Sequence, residues 1–183
     1  MIIWNRLRYV LSPQFDIYEE VAKKVRGRVA DIGFGTGFGM HLYLQGAKEI
    51  YGYEMDIDSL RFAQRAFPIN KMYFQMGDVT KGIDETGFNF VTMIDVIEHI
   101  EKDVLALQNV KKMLAKGGVL IVSTPNRLSR YRKSENHVRE YAPKELEAIL
   151  KRVFVSVSLR DHKLEPLVNQ YQNPLVAVCR NEA

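Results

Sequence analysis

Cysteine is almost missing from this chain: the 183 residues contain one, Cys179. One thiol closes no internal disulfide and leaves a cysteine-built metal site without ligands. Long apolar runs are missing as well. None approaches the ~20 residues that span a bilayer, and Met1-Ile2-Ile3-Trp4 gives way at once to Asn5 and Arg6, so no signal-peptide core is visible. There are no repeats, low-complexity tracts or linkers. These absences lead us to expect a cytoplasmic protein with no membrane partner. What is present suits that reading. Hydrophobic residues make up 46% of the chain, enough for a sizeable core, and charged residues make up 26%, which argues against bulk disorder. One domain over residues 1–183 is the expectation.

A further absence concerns glycine. Gly33, Gly35, Gly37 and Gly39 alternate in Val29-Ala30-Asp31-Ile32-Gly33-Phe34-Gly35-Thr36-Gly37-Phe38-Gly39. The dinucleotide fingerprint G-x-G-x-x-G nevertheless fails in every register, because Phe38, Met40 and Leu42 fall where its third glycine belongs. What remains is an apolar strand running into a glycine turn ahead of Met40-His41-Leu42-Tyr43-Leu44. Such a turn lets a ligand approach the backbone closely.

Apolar spacing then predicts the order of elements. A helix over Gln14 to Arg26 precedes a strand at Arg28–Ile32. A helix from Gly37 to Gln45 follows the turn and ends at Gly46. Strand two is Glu49–Glu54. The next helix, Asp58 to Phe67, is stopped by Pro68. Strands three and four are Met72–Met76 and Phe88–Ile94. A helix from Glu101 to Leu114 ends at Gly117-Gly118, and strand five, Val119–Ser123, is cut off by Pro125. A helix from Pro143 to Lys151 starts with proline, where the missing N–H costs nothing. Val153–Leu159 and Leu175–Cys179 complete the set. Alternating strands and helices imply a parallel sheet with right-handed crossovers. The last two strands lack a helix between them, so the final one is expected to run antiparallel.

An acidic residue ahead of G-x-G-x-G, here Asp31 before Gly33, Gly35 and Gly37, resembles motif I of the class I S-adenosylmethionine (SAM) methyltransferases. The element order resembles their fold over roughly residues 14–180. The fold class expected is therefore α/β: a Rossmann-like, mostly parallel seven-stranded sheet with helices on both faces and an antiparallel last strand. The resemblance implies SAM as cofactor and S-adenosylhomocysteine as product. Ligands of open α/β sheets bind outside the carboxyl ends of the strands. Gly33, Gly35 and Gly37 would pass close to the methionine part of SAM. Glu54, 21 residues after Gly33 at the end of strand two, can accept from the ribose hydroxyls, with Asp56 a weaker candidate. In Met76-Gly77-Asp78-Val79, the resemblance implies that the Asp78 carboxylate takes the adenine amino group and that Val79 offers its backbone N–H. Asp95 would face the sulfonium, and Asp31 would hold the loop or the SAM amino group.

Asp95-Val96-Ile97-Glu98-His99-Ile100, Leu114-Ala115-Lys116-Gly117-Gly118, Ser123-Thr124-Pro125-Asn126 and the stretch from His137 to Leu146 resemble the branch that includes the ubiquinone-biosynthesis O-methyltransferases. The Asn/Asp-Pro-Pro-aromatic signature of nucleic-acid N-methyltransferases is absent after strand four. The reading is O-methylation of a small hydroxylated metabolite. An oxygen acceptor must lose a proton, and His99 and His137, at the ends of strands four and five, are the candidate bases. His41 is expected to be structural and His162 exposed. Some relatives of this branch use a similar acidic-x-x-Glu-His run to hold a divalent cation. Asp95, Glu98, His99 and His137 form the alternative metal set here. The shorter Asp95, in place of glutamate, tips the reading toward a metal-free base.

Charge is uneven. Asn126 to Lys144 holds six basic residues (Arg127, Arg130, Arg132, Lys133, Arg139, Lys144) against Glu135 and Glu140, a surplus of four that equals the net charge of the chain. Residues 126–142 thus read as a basic acceptor-side loop, and the acceptor as anionic. Residues 1–13 read as a lid or a dimer arm, with the oligomeric state left open. Two other functions compete. An RNA methyltransferase acting on a terminal ribose hydroxyl fits less well, because +4 is a mild charge and no RNA-binding domain is added. A non-catalytic SAM-binding partner subunit has no need of the intact cofactor set.

Overall fold

The computed structural model describes residues 13–130 and 134–182. Of the expected lid or dimer arm at residues 1–13, residues 1–12 lie outside the described residues, as do Arg132 and Lys133, and Pro13 opens the first described helix. The first helix, α1 (Pro13–Ala22), turns Ile17, Tyr18, Val21 and Ala22 inward. Full burial of Ile17 and Val21 contributes about 1.5–3 kcal/mol each. The helix stops four residues short of Arg26. The chain must bury Val25 and turn at Gly27, whose φ is +70°, to enter β1 (Gly27–Ile32).

The helix expected from Gly37 to Gln45 is shorter and tighter. One α turn, α2 (Phe38–His41), passes into a 3₁₀ turn at Leu42–Gln45. Met40 and Tyr43, three residues apart, are both fully buried, and side chains at i and i+3 eclipse in a 3₁₀ helix. β2 (Ala47–Glu54) leads to α3 (Ile57–Ala66), where the Asp56 carboxylate caps the helix by accepting from the Ser59 N–H at 2.8 Å. β3 (Met72–Met76), β4 (Phe88–Ile94) and a 3₁₀ turn at Ile97–His99 follow. Helix α4 (Asp103–Met113) ends before Gly117-Gly118, because Leu114 already pairs with Phe88 and opens β5 (Leu114–Thr124). α5 (Pro143–Lys151), β6 (Ser156–Arg160) and β7 (Leu175–Arg180) complete the order.

The seven strands lie in the order β3-β2-β1-β4-β5-β7-β6. The first five are parallel, and β7 runs antiparallel between β5 and β6. One face of the sheet packs on α4 and α5 through Leu107, Val110, Leu146 and Leu150. The other packs on α1, α2 and α3 through Ile17, Val21, Met40 and Leu60. The expected α/β sheet, helices on both faces and antiparallel last strand are all present. Among the described residues, no helix is long and apolar enough to cross a membrane. This order puts the switch point between β1 and β4, which brings the ends of β1, β2 and β4 to one crevice.

Candidate functional site

A cavity of about 310 Å³ opens at the carboxyl ends of the parallel strands. Gly33, Glu54, Asp78, Val79, Asp95 and His99, all singled out in the sequence, line it together with Tyr53, Met55, Gly77, Thr80, Val96 and Ile100.

The glycine turn shapes one wall. Gly33 has φ +68°, and a Cβ there would stand 2.6 Å from Val96 Cγ2. Only glycine meets both conditions. Its N–H donates to the Tyr53 carbonyl at 2.7 Å. Gly35, at φ +56°, donates its N–H to Glu54 Oε2 at 2.8 Å. Gly37 sits at the start of α2 against Ala63, Phe67 and Phe74. Glu54 Oε1 accepts from the N–H groups of Met55 at 2.7 Å and Asp56 at 3.0 Å. Three backbone donors thus fix this carboxylate at the cavity. An ionised carboxylate has about four lone-pair sites, so acceptor capacity remains. Asp56, the weaker ribose candidate, is spent on the cap of α3.

Asp78 Oδ1 accepts from the Thr80 N–H at 2.9 Å and from its hydroxyl at 2.6 Å. The Thr80 hydroxyl, chiefly, holds the carboxyl below its ordinary range, with Lys81 adding to this. Gly77 lets this turn lie against Tyr53: a Cβ there would be 3.0 Å from the Tyr53 side chain. Val79 is buried, and its carbonyl accepts from Asn109 Nδ2 at 2.9 Å.

Asp31 departs from expectation. It is fully buried, outside the cavity lining, and its oxygens accept from Tyr18 Oη at 2.9 Å and Thr92 Oγ1 at 2.7 Å. It ties α1 to the sheet rather than holding the glycine loop. The residue alternation of β1 explains this: Ala30 and Ile32 face one core and Asp31 the other. Burial pushes its carboxyl up to about 7, against the pull of the two hydroxyl bonds.

The far wall is built by the segment after β4, Asp95 to Ile100, backed by side chains of β5 and the loop beyond it. Asp95 is one of two non-glycine residues with positive φ among those described, at +54°. Such a conformation costs about 1–3 kcal/mol and clusters at functional sites. Its carboxylate accepts from Ser123 Oγ at 2.7 Å and from Gln14 Nε2 of α1. Glu98 is fully buried. Its Oε2 accepts from Thr124 Oγ1 at 3.0 Å, whereas Oε1 has no hydrogen-bond partner among the described residues. Burial first, and then the negative charge of Asp95, push its carboxyl up to about 8.

His99 Nδ1 lies 2.9 Å from the Asn136 carbonyl. A carbonyl only accepts, so Nδ1 carries the proton and the neutral ring presents Nε2 as its basic nitrogen. His137 Nδ1 is 3.0 Å from Glu140 Oε1. The two rings meet edge to face with centroids 4.9 Å apart. Glu98, His99 and His137 each bring one ligand atom within 4.8 Å of the others, whereas Asp95 stands outside that group. His41 is exposed and stacks on Phe67 at 5.1 Å, a structural position. His162, expected to be exposed, is half-buried beside Gln172 and Asp16.

Two cations of the basic loop are matched by carboxylates of the flanking helices. Arg127 pairs with Glu145, and Arg139 pairs with the buried Asp103, which also accepts from Tyr141 Oη at 3.0 Å. Together with the Arg139 N–H on the Glu98 carbonyl at 3.1 Å, these bonds strap the loop onto α4, α5 and the 3₁₀ turn that carries His99. Gln14, Ser123, Thr124, Asn136 and Asp103, which position the site residues, carry no sequence signal of that role. They act through tertiary partners far along the chain.

Comparison with known proteins accords with this geometry. The family model described as a methyltransferase domain matches residues 4–162. A protein of Mycolicibacterium smegmatis named as a probable S-adenosylmethionine-dependent methyltransferase is 25% identical over 134 residues, which are 72% of this chain and 51% of that one. The ribosomal protein L11 methyltransferase of Desulfatibacillum aliphaticivorans is 28% identical over 113 residues, covering 58% of this chain and 36% of the relative. The chain thus spans about half, or less, of the length of the curated relatives it matches. A crystal structure of an S-adenosylmethionine-dependent methyltransferase from Clostridium acetobutylicum superposes with a TM-score of 0.79 at 14% identity, covering 99% of this chain and 97% of that one. At that identity the likeness speaks for the fold.

Proposed function

The chain belongs to the methyltransferase-domain family, and from that premise we propose that it is a SAM-dependent O-methyltransferase of a small hydroxylated metabolite, working as one domain in the cytoplasm. One observation carries the cofactor assignment: Glu54, held by three backbone N–H groups, and Asp78 line the same cavity as Gly33. Two fixed carboxylates beside a close backbone approach fit a ligand with ribose hydroxyls and an adenine amino group. SAM supplies, when bound, a methyl group already activated on a sulfonium, so the protein's work is placement and proton removal.

The residues divide that work. Glu54 accepts from the ribose, Asp78 from the adenine amino group, and Val79 offers its backbone N–H. Gly33, Gly35 and Gly37 give close passage to the methionine portion. Asp95, set at the end of β4, faces the reacting end. Asp31 serves by fixing α1, whose Gln14 reaches Asp95. His99 Nε2 takes the acceptor's hydroxyl proton, with its tautomer set by Asn136 and with His137 at its edge. Because Arg127 and Arg139 are matched by carboxylates, the anionic character of the acceptor rests, among the described residues, on Arg130 of the loop and Lys144 of α5.

A second reading has its own observation. Glu98, His99 and His137 converge within 4.8 Å, and one Glu98 oxygen lacks a hydrogen-bond partner among the described residues. Those three residues would hold a divalent cation that lowers the acceptor's pKa. We favour the metal-free base, since Asp95 is engaged by Ser123 and Gln14. Turnover measured with and without a chelator decides between them. Unchanged turnover supports the base, and loss restored by Mg²⁺ or Mn²⁺ supports the cation.

A further inference from the structure

A second cavity, of about 530 Å³, lies at the opposite edge of the sheet, where the parallel strands begin. Arg26, Lys48, Lys116 and Arg180 ring it, with Asn89 and Gly117 between them. It shares no residue with the carboxyl-edge cavity. The fold collects the four cations from distant points. Arg26 precedes β1, and Lys48 is the second residue of β2. Lys116 stands in the early part of β5 that bulges between Leu114 and Val119. Arg180 ends β7, whose antiparallel course sets it opposite Val119.

Among the described residues, no carboxylate lines this cleft and none of the four cations pairs with one. Arg26 Nη1 donates only to the carbonyls of Val25 at 2.6 Å and Lys23 at 3.3 Å. The adjacent Arg28 makes the contrast, since it is matched by Glu49 at 3.0 Å. The backbone beneath is braced. Gly117 donates to the Asn181 carbonyl at 2.7 Å, and Asn181 Nδ2 donates to the carbonyls of Leu114 and Ala115 at 3.3 and 3.2 Å. Lys116 is therefore carried on a fixed bulge rather than on a loose loop.

Four like charges around one concavity repel each other and focus a positive field that a multiply charged anion relieves. Two guanidiniums suit paired phosphate oxygens, and two ammoniums act as point charges. The charges converge instead of tracking along a surface, which suits a short phosphate chain better than an extended nucleic-acid backbone. We infer that this amino-edge cleft binds an oligophosphate, a pyrophosphate or triphosphate chain, either free or carried on a nucleotide.

Calorimetric titration of the full chain with tripolyphosphate, pyrophosphate and orthophosphate tests this. Tripolyphosphate should bind most tightly, and its affinity should fall as salt rises. Lys116→Glu and Arg180→Glu, both at exposed positions, should each weaken it about tenfold or more and leave S-adenosylhomocysteine binding unchanged. If a charge reversal unfolds the chain, Lys48→Gln with Lys116→Gln serves, and the same loss is expected. ATP titrated in the presence of saturating S-adenosylhomocysteine separates the sources: equal affinity to tripolyphosphate assigns the free chain, and tighter binding assigns a nucleotide. Three results would overturn the inference. They are no binding at millimolar tripolyphosphate, binding that the variants leave intact, or tighter binding of a single-stranded RNA 12-mer through the same residues.

Discussion

On the β1–β3 side of the carboxyl edge, Glu54 holds the amides of Met55 and Asp56 one and two residues away, and of Gly35 nineteen residues away. On the β4–β5 side the spans lengthen. Asp95 meets Ser123 across 28 residues, His99 meets Asn136 across 37, and Asp103 meets Arg139 across 36. The first side is preorganised by the turns themselves. The second is assembled only when the segment after β5 docks on α4. Cofactor binding and turnover should therefore separate under mutation, the first following β1–β3 and the second following the strapped loop.

The largest effect should come from the histidines. Replacing His99 and His137 together by alanine should cut turnover by about 10²–10⁴-fold and leave S-adenosylhomocysteine affinity unchanged. Full activity in that variant would leave placement alone as the source of catalysis. Next is Glu54→Ala, which should weaken cofactor binding by about 1–3 kcal/mol, because it removes the carboxylate that holds the Gly35 N–H and that we propose for the ribose. Equal affinity in the variant would mean that another group holds the ribose.

Asp103→Asn probes the strap. It weakens the Arg139 and Tyr141 contacts and should cost about 1–2 kcal/mol in urea unfolding. It should also raise the acceptor KM more than the cofactor KM. Equal increases in both would erase the distinction between the two sides.

The remaining effect concerns pH. The Asp31 carboxyl is raised to about 7 in the folded chain, above the ordinary ~3.9 of the unfolded one. Its stabilising contribution is complete below about pH 4 and is lost as pH rises through 7. Unfolding followed from pH 5 to 8 should show stability falling, and Asp31→Asn should reduce that fall, leaving the part that belongs to the raised Glu98 carboxyl. An unaltered slope would remove Asp31 as its source.

The contrast also explains what could be read in the sequence. That Gly33, Glu54, Asp78 and Asp95 gather at one cavity is legible in the sequence, because each stands at the end of an apolar strand, where the fold class dictates a ligand edge. The seven strands followed from the same periodicity. The tightening of α2 was hidden, since Met40 and Tyr43 suit a 3.6 period and a 3₁₀ turn almost equally. The neutralisation of Arg127 and Arg139 was hidden too, because Glu145 and Asp103 lie 18 and 36 residues away. Asp31 reads as a loop-side acid beside its glycines, yet strand alternation turns it to the face that α1 covers.

Binding of S-adenosylhomocysteine to the full chain, measured by calorimetry beside Glu54→Ala, tests the central claim most directly. One site with a Kd in the low-micromolar range or tighter is expected, because the β1–β3 wall is already ordered, with clear weakening in the variant. No heat of binding at millimolar ligand, for the product and for SAM alike, would contradict it.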